Sequence, residues 1–303
     1  MLWFLVAISA YLILAVVFLV DKYLLTGSIL NPRVYAFYVG TLGILVLILA
    51  PFVGFYIPEK SQIALSLLAG AIFVYGLFWF YKTLQLFEPS RAVPAIGGLT
   101  PLFTFGLVYI FSKGEETLTL GDFLAFLLLI SGSVFITLER EKKISLKSLR
   151  ISALTAFLLS LSFVLIKYVY LAQPFWNGFI WKSIGGFLMA VCFFIFFPEI
   201  KKEIFKKGEK FPKKTTAIFV TNQAAGAGAN ILQNWAIALA PLAYVAIVNA
   251  LQGVQYVFLL IFTIFLSLKL PQIVKEEISR KIIMQKIFAI LLIGVGLGIL
   301  SFK

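Results

Sequence analysis

The chain has no histidine and a single cysteine, Cys192, among its 303 residues. Without histidine, the familiar histidine-dependent hydrolases and acyl transferases are excluded, and a lone cysteine cannot form a disulfide within the chain. The sequence also contains no GxxxxGK phosphate-binding loop, which excludes ATP-driven transport by this chain alone. We therefore expect a protein that is not an enzyme and that binds no metal and no cofactor.

Charge is scarce as well, since 13% of the residues are charged, 61% are hydrophobic and the mean hydropathy is +1.02. These values are typical of an integral membrane protein. About 20 predominantly apolar residues cross the hydrocarbon core as a helix, and the period-two alternation of barrel strands is absent. The sequence predicts an all-α, polytopic membrane protein with ten transmembrane helices at residues 2–20, 34–57, 62–87, 92–111, 118–138, 151–171, 175–198, 215–239, 242–268 and 282–302.

The 39 charged residues lie almost entirely between these segments, as a bilayer demands. The longest gap, 199–214, has 16 residues, which is too short for a soluble domain. An acid at the start of a segment favours the positive end of the helix dipole, so we interpret Asp122 as structural. Coupling through a deeply buried Asp or Glu is not predicted. The charged residues inside the segments are Lys82, Asp122, Lys167, Lys182 and Lys286.

Lys and Arg are distributed unequally between alternate gaps, with nineteen in the odd-numbered gaps against three in the even gaps and the C-terminus. Basic loops stay in the cytoplasm. The imbalance therefore predicts that gaps 139–150, 199–214 and 269–281 are cytoplasmic and that both termini lie outside. Because topology explains these lysines, we expect no nucleic-acid partner.

The two halves of the chain resemble each other at a shift of 152 residues. FWFYKTLQLFEPSRAVPAIGGLTPLF (78–103) then aligns with NILQNWAIALAPLAYVAIVNALQGVQ (230–255), which places Pro89 on Pro241 and Gly97 on Asn249. Five helices per half is an odd number, so the second half enters the membrane from the opposite side. The sequence predicts two inverted five-helix repeats, 1–138 and 151–303, joined by a basic linker loop at 139–150, an arrangement found in secondary transporters.

The stretch YKTLQLFEPSRAVPAIGGLTPLFTFGLVYIFSKGEETLTLGDFLAFLLLISGSVFI (81–136) resembles the EamA-type pattern of the drug/metabolite transporter superfamily. The second half departs from it, since Gly253 stands where the central proline is expected. The resemblance implies a ten-helix, two-repeat carrier of small metabolites, often an exporter, with both termini in the cytoplasm. The positions that carry the resemblance are Pro101, Gly114, Glu115, Leu118, Thr119, Gly121 and Gly132.

Amide side chains are concentrated in segments eight and nine. At about 100° per residue, Gln223, Asn230 and Asn234 form one stripe of segment eight. Asn249, Gln252 and Tyr256 form another on segment nine. Amides in a membrane need polar partners, so these stripes either line a substrate cavity or bond helices to one another. We predict that both stripes bind substrate.

Aromatic and basic side chains supply the remaining candidate substrate-binding residues. Tyr75, Trp79 and Lys82 share a face of segment three. They form either a wall for an anionic or planar substrate, or ordinary core or an aromatic belt at the membrane interface. Lys182 lies about 10 Å inside its helix; it either snorkels to the interface or binds an anion. Lys167 is near enough to its helix end to snorkel. Small residues in AAGAGA (224–229) are interpreted as helix packing.

These features together predict a multi-pass protein of the cell membrane that transports a small polar metabolite, such as an amino acid or a related organic compound. We expect an exporter or exchanger that works by alternating access. Its partners are then the small-molecule substrate and membrane lipids, and we expect a monomer or homodimer. The alternative is a membrane-embedded enzyme or lipid-handling protein that acts on an amphipathic substrate.

Overall fold

A computed structural model describes residues 2–27, 31–86, 89–137, 146–205, 213–269 and 280–301. The described residues form twelve α-helices, two 3-10 helices and no strands. The α-helices are α1 (Leu2–Gly27), α2 (Pro32–Gly43), α3 (Lys60–Leu86), α4 (Pro89–Phe111), α5 (Leu120–Thr137), α6 (Leu146–Ala172), α7 (Phe175–Phe196), α8 (Pro198–Ile204), α9 (Lys213–Leu239), α10 (Val245–Ala250), α11 (Gln252–Lys269) and α12 (Arg280–Ser301). The 3-10 helices are Ile44–Phe52 and Leu242–Tyr244.

The fold is all-α, and the lengths and composition of its helices are those of a membrane protein. Each of the ten predicted segments overlaps helical structure. Within the described ranges, six helical stretches are long and apolar enough to cross a membrane, and three further apolar helices are shorter. The amide-rich α9 is in neither group. Most of the three basic loops predicted to be cytoplasmic lies outside the described residues.

Three segments differ most from their predicted form. The predicted first segment ends at residue 20, whereas α1 continues to Gly27. In the second segment, α2 changes after Gly43 into the nine-residue 3-10 helix. The ninth segment is interrupted at Leu251, which separates α10 from α11. Irregular backbone inside an apolar segment is tolerated where it is buried in protein or lines a cavity.

Local sequence explains how several helices begin and end. Asn31 caps α2 by accepting a hydrogen bond from the Arg33 N–H at 2.9 Å. At the start of α5, the Thr119 hydroxyl donates to Asp122 at 2.6 Å, and the Asp122 N–H donates back to Thr119. The second of these bonds is an N-cap, in which the threonine oxygen accepts from a backbone N–H of the first helical turn. The Tyr244 hydroxyl also donates to Asp122, at 2.7 Å. These bonds agree with the structural interpretation of Asp122.

Lys167 caps the other end of a helix. Its Nζ donates to the Ala238 carbonyl at 3.0 Å and to the Ala240 carbonyl at 2.5 Å, where α9 ends. Only 2% of Lys167 is exposed, so the side chain does not snorkel as predicted. The carbonyls at a helix C-terminus lack intrahelical donors and carry partial negative charge. They therefore offer the ammonium group a partner inside the protein.

Candidate functional site

A cavity of about 640 Å³ lies between α1, α2, α3, α7 and α9. Both predicted halves contribute to it, and the interruption between α10 and α11 reaches its wall through Asn249 and Gln252. Its volume falls in the range of ordinary small-molecule sites. Five of the predicted substrate-binding residues line it, namely Lys182, Gln223, Asn230, Asn249 and Gln252.

Lys182 supplies the positive charge of this cavity. Its Nζ donates to the Asn234 Oδ1 at 2.8 Å and lies 4.4 Å from the centre of the Phe73 ring. Only 3% of Lys182 is exposed, so its side chain does not snorkel to the interface. Among the described residues no carboxylate is paired with it. A buried cation without an anionic partner is costly unless a bound anion completes the site.

Asn234 holds this lysine rather than lining the cavity. Its Nδ2 donates to the Asn230 carbonyl at 2.8 Å and to the Asn230 Oδ1 at 2.9 Å. Its Oδ1 accepts from Lys182 and also from the Tyr170 hydroxyl at 3.2 Å. Asn234 is fully buried. It therefore acts as a positioning residue, with Asn230 presented to the cavity one turn away.

Asn249 presents an acceptor that has no partner in the described part of the chain. Its Nδ2 donates to the Thr104 hydroxyl at 2.9 Å. Its Oδ1 is buried and makes no hydrogen bond within the described residues. Buried polar atoms are normally satisfied, so this oxygen is a site for a donor group of a solute or for water. The nearby interruption of the helix at Leu251 places Gln252 in the same wall.

The predicted aromatic and cationic wall lies outside the cavity lining. Lys82 lies over the Trp79 ring, with 4.5 Å between its Nζ and the ring centre. Trp79 in turn contacts Tyr75 edge to face at 6.3 Å. The face of α3 that does line the cavity includes Phe73 and Leu77. At about 100° per residue the two faces point in different directions, which is why the three residues do not reach the cavity.

Tyr256 is a packing residue rather than part of the cavity wall. It is 3% exposed, and its hydroxyl lies against α4. A Cβ added to Gly97 would lie 2.0 Å from that hydroxyl, so the absence of a side chain at Gly97 makes room for the ring. Tyr256 therefore joins α11 to α4.

The small residues of α9 also differ from their prediction. Ala224, Gly226 and Ala227 line the cavity. A Cβ added to Gly228 would meet nothing within 4 Å, and one added to Gly226 would meet only Val17 at 3.5 Å. These positions do not bring two backbones together. The small size of Ala224, Gly226 and Ala227 instead leaves room for the cavity beside Asn230.

Asp21 is the acidic residue of the cavity lining, and the sequence-based prediction missed it. It is 6% exposed and lines the cavity on α1. Its Oδ1 accepts a hydrogen bond from the Tyr35 hydroxyl and one at 2.7 Å from the Asn222 Nδ2. The predicted segment 2–20 ends one residue before Asp21, so the prediction assigns Asp21 to a loop. The signal that could have found it is the apolar YLL that follows one residue later and continues the helix.

Comparison with known proteins shows a similarity of fold. No protein-family model matches the chain, and no curated protein matches it. Among solved structures, 28 chains match. One of these, described only as a crystal structure of a protein, aligns with a TM-score of 0.68 over 98% of this chain and 97% of that chain, at 16% sequence identity. At that identity the likeness extends to the arrangement of the helices along the whole chain.

Proposed function

We propose that this chain is a multi-pass transporter of the cell membrane, similar to the EamA-type drug/metabolite transporters, that carries small polar metabolites such as amino acids by alternating access. The observation that carries the proposal is the cavity of about 640 Å³, whose lining includes Lys182, Asn230 and Asn249. A few converging polar groups in a mostly apolar cavity are typical of a small-molecule site. A site between two halves is typical of secondary transporters.

Ten membrane spans in two inverted halves, 1–138 and 151–303, belong to the same proposal. The packing partners of the helices support it. In the proposed repeat α3 corresponds to α9 and α6 to α1; α3 packs along α6, and α9 packs along α1. The corresponding helices α2 and α7 pack against each other, as do α5 and α12. Pairs of this kind are expected along a twofold axis between two halves.

The largest departure from this symmetry supports alternating access. Helix α3 packs closely along α7, where the Phe78 and Phe193 rings lie 5.8 Å apart. The corresponding helices α9 and α2 meet near Tyr35 and Phe219, whose rings lie 5.5 Å apart. Beyond that contact the cavity separates them. If α9 packed along α2 while α3 and α7 separated, the cavity would open to the opposite side of the membrane.

Two polar groups of the cavity, the Lys182 ammonium and the Asn249 Oδ1, favour a solute with both an anionic group and a hydrogen-bond donor. Lys182 can bind a carboxylate, because among the described residues no carboxylate is paired with it. The Asn249 Oδ1 can accept a hydrogen bond from an ammonium group. Both groups belong to one cavity. An amino acid carries the two complementary groups, which is why we name this class.

The test uses the full chain in proteoliposomes preloaded with unlabelled amino acids. We expect counterflow of radiolabelled amino acids into the vesicles, and loss of this uptake in Lys182→Met. The exposed lysine variant Lys147→Met is the matched control and should transport normally. Recovery of a chemically altered product would instead indicate the membrane-enzyme alternative. Unchanged uptake by Lys182→Met would place the substrate elsewhere.

A further inference from the structure

An acidic and a basic side chain, Asp21 and Lys182, line the cavity at different depths. Lys182 bonds to Asn234 and Asp21 bonds to Asn222, and both asparagines lie on α9. The asparagines are twelve positions apart, which corresponds to about 18 Å along the helix axis at 1.5 Å per residue. That separation is far beyond ion-pair distance. The carboxyl and ammonium groups therefore need separate partners.

The surroundings of Asp21 contain donors but no paired cation. From α2 the Tyr35 hydroxyl donates to its Oδ1, and from α9 the Asn222 Nδ2 donates to the same oxygen. Gln223 supports this group by donating to the Tyr35 hydroxyl at 3.1 Å. Among the described residues the ion pair is Arg33 with Glu199, so Asp21 has none there.

The titratable groups described close to Asp21 on the surrounding elements are phenols. From α3, Tyr81 stacks on Tyr35 with 4.6 Å between ring centres, while Lys82 of the same helix lies over the Trp79 ring. From α2, Arg33 pairs with Glu199. From α11, which also packs on α1, the titratable side chain that is described is Tyr256. The groups that α9 presents here are amides, which do not titrate. In the described surroundings of Asp21 no lysine or arginine therefore balances its charge.

We propose that Asp21 is a proton-binding site that couples transport to a proton gradient, which rests on the transport function proposed above. A buried carboxylate without a cation is neutralised by binding a proton. Because both described donors use Oδ1, we assign the proton to Oδ2. With a proton on Asp21 and the carboxylate of the amino acid on Lys182, neither charged side chain of the cavity is left without compensation. We therefore expect the proton and the amino acid to move together.

The position of Asp21 also explains how the proton affects the cavity. Its hydrogen bonds join α1 and α2 to α9, which belongs to the other proposed half. They lie where α2 and α9 still touch through Tyr35 and Phe219. A carboxylate accepts both hydrogen bonds strongly, and the neutral acid accepts them more weakly. Proton binding therefore loosens the contact that closes this end of the cavity.

The first experiment tests the site without any solute. Infrared difference spectra of the purified full chain between acidic and alkaline buffer should show the band of a protonated buried carboxyl group. We expect this band in the wild type and in Asp122→Asn, and its loss in Asp21→Asn. Should Asp21→Asn melt before measurement, Asp21→Glu should move the midpoint of the band's titration. A band that responds to neither substitution at Asp21 overturns the proposal.

The second experiment tests the coupling in proteoliposomes with radiolabelled amino acids. An inward proton gradient should drive accumulation above equilibrium in the wild type, and a protonophore should abolish it. Asp21→Asn should not accumulate solute in response to the gradient. If the wild type shows counterflow but the proton gradient does not change its uptake, the proposed coupling is wrong and the carrier function still stands. Absence of any counterflow would count against the proposed function instead, while the infrared result still decides the proton site.

Discussion

The backbone of α3 touches the backbone of α7 at Gly70 and Lys182. A Cβ added to Gly70 would lie 1.7 Å from the Lys182 carbonyl oxygen, a distance that no side chain can occupy. A second contact of this kind places the Leu67 carbonyl oxygen 2.1 Å from the position of a Cβ on Gly185. The main chain that carries the cavity lysine is therefore fixed by glycines on both helices.

Replacing Gly70 with alanine should force α3 and α7 apart. We expect a loss of about 1–3 kcal/mol in the free energy of unfolding, as for other overpacked sites. Gly228→Ala is the matched control, because an added Cβ there meets nothing within 4 Å. Alanine in that helix should be neutral or stabilise by about 0.5–1 kcal/mol. Denaturant unfolding in detergent measures both, and equal stabilities would contradict the close contact.

Lys167→Met should lower stability while leaving solute binding intact. The substitution removes two hydrogen bonds to the carbonyls that end α9. Hydrogen bonds to charged groups contribute about 1.5–3 kcal/mol, so we expect a loss of about that size. Lys147→Met changes an exposed lysine of the same helix α6 and should have little effect. A Lys167→Met variant of wild-type stability with weakened amino-acid binding would assign this lysine to the site instead.

The amides should separate into solute contacts and structural bonds. Truncating Asn230, Asn249 or Gln252 to alanine removes a cavity-lining amide and should weaken amino-acid binding about tenfold, for a loss of about 1.4 kcal/mol each. Asn234→Ala should reduce both binding and stability, because Asn234 holds Lys182.

Leu259→Ala, in the same helix as Gln252, serves as the control for these variants. Binding and melting are measured on the same purified proteins. If all four amide variants bound normally and lost about 0.6 kcal/mol each, the amides would be interhelical bonds only.

Acid should destabilise the protein through Glu199. The pKa of this exposed carboxyl lies below its ordinary value of 4.5, chiefly because its own backbone N–H at the start of α8 donates to it, and further because of Arg33, whose guanidinium lies 2.6 Å away. A carboxyl group whose pKa is lower in the folded than in the unfolded state stabilises the folded protein at pH values above its unfolded-state pKa. This stabilisation is lost as the pH falls through the pKa of the folded state.

The wild type should therefore melt above Glu199→Gln at neutral pH, and the difference should vanish as the pH falls below 4.5. High salt should reduce the difference as well, since this pair is exposed. Melting curves over pH in low and high salt measure both effects. A difference that persisted in strong acid would show that the charge of Glu199 is not responsible.

The sequence predicted the cavity-lining residues that are polar side chains within apolar segments. Asn230 and Asn249 are amides in apolar segments, and amides there must find polar partners. The direction of Trp79 could not be predicted, because every face of α3 is largely apolar and its orientation depends on packing against α7. Asp21 was missed because it directly follows the apolar run. The interruption at Leu251 has neither proline nor glycine at that position, so no local signal marks it.

The nine-residue 3-10 helix Ile44–Phe52 forms part of one wall of the cavity, and it is longer and more tightly wound than an α-helix of nine residues would be. A 3-10 helix rises about 2.0 Å per residue and an α-helix about 1.5 Å, so rewinding this segment would shorten it by about 4.5 Å. The change from 3.0 to about 3.6 residues per turn would also rotate its end by about half a turn. Leu45 and Leu49 line the cavity. Rewinding alone would turn such side chains away and present others, while the ends of neighbouring helices stay in place.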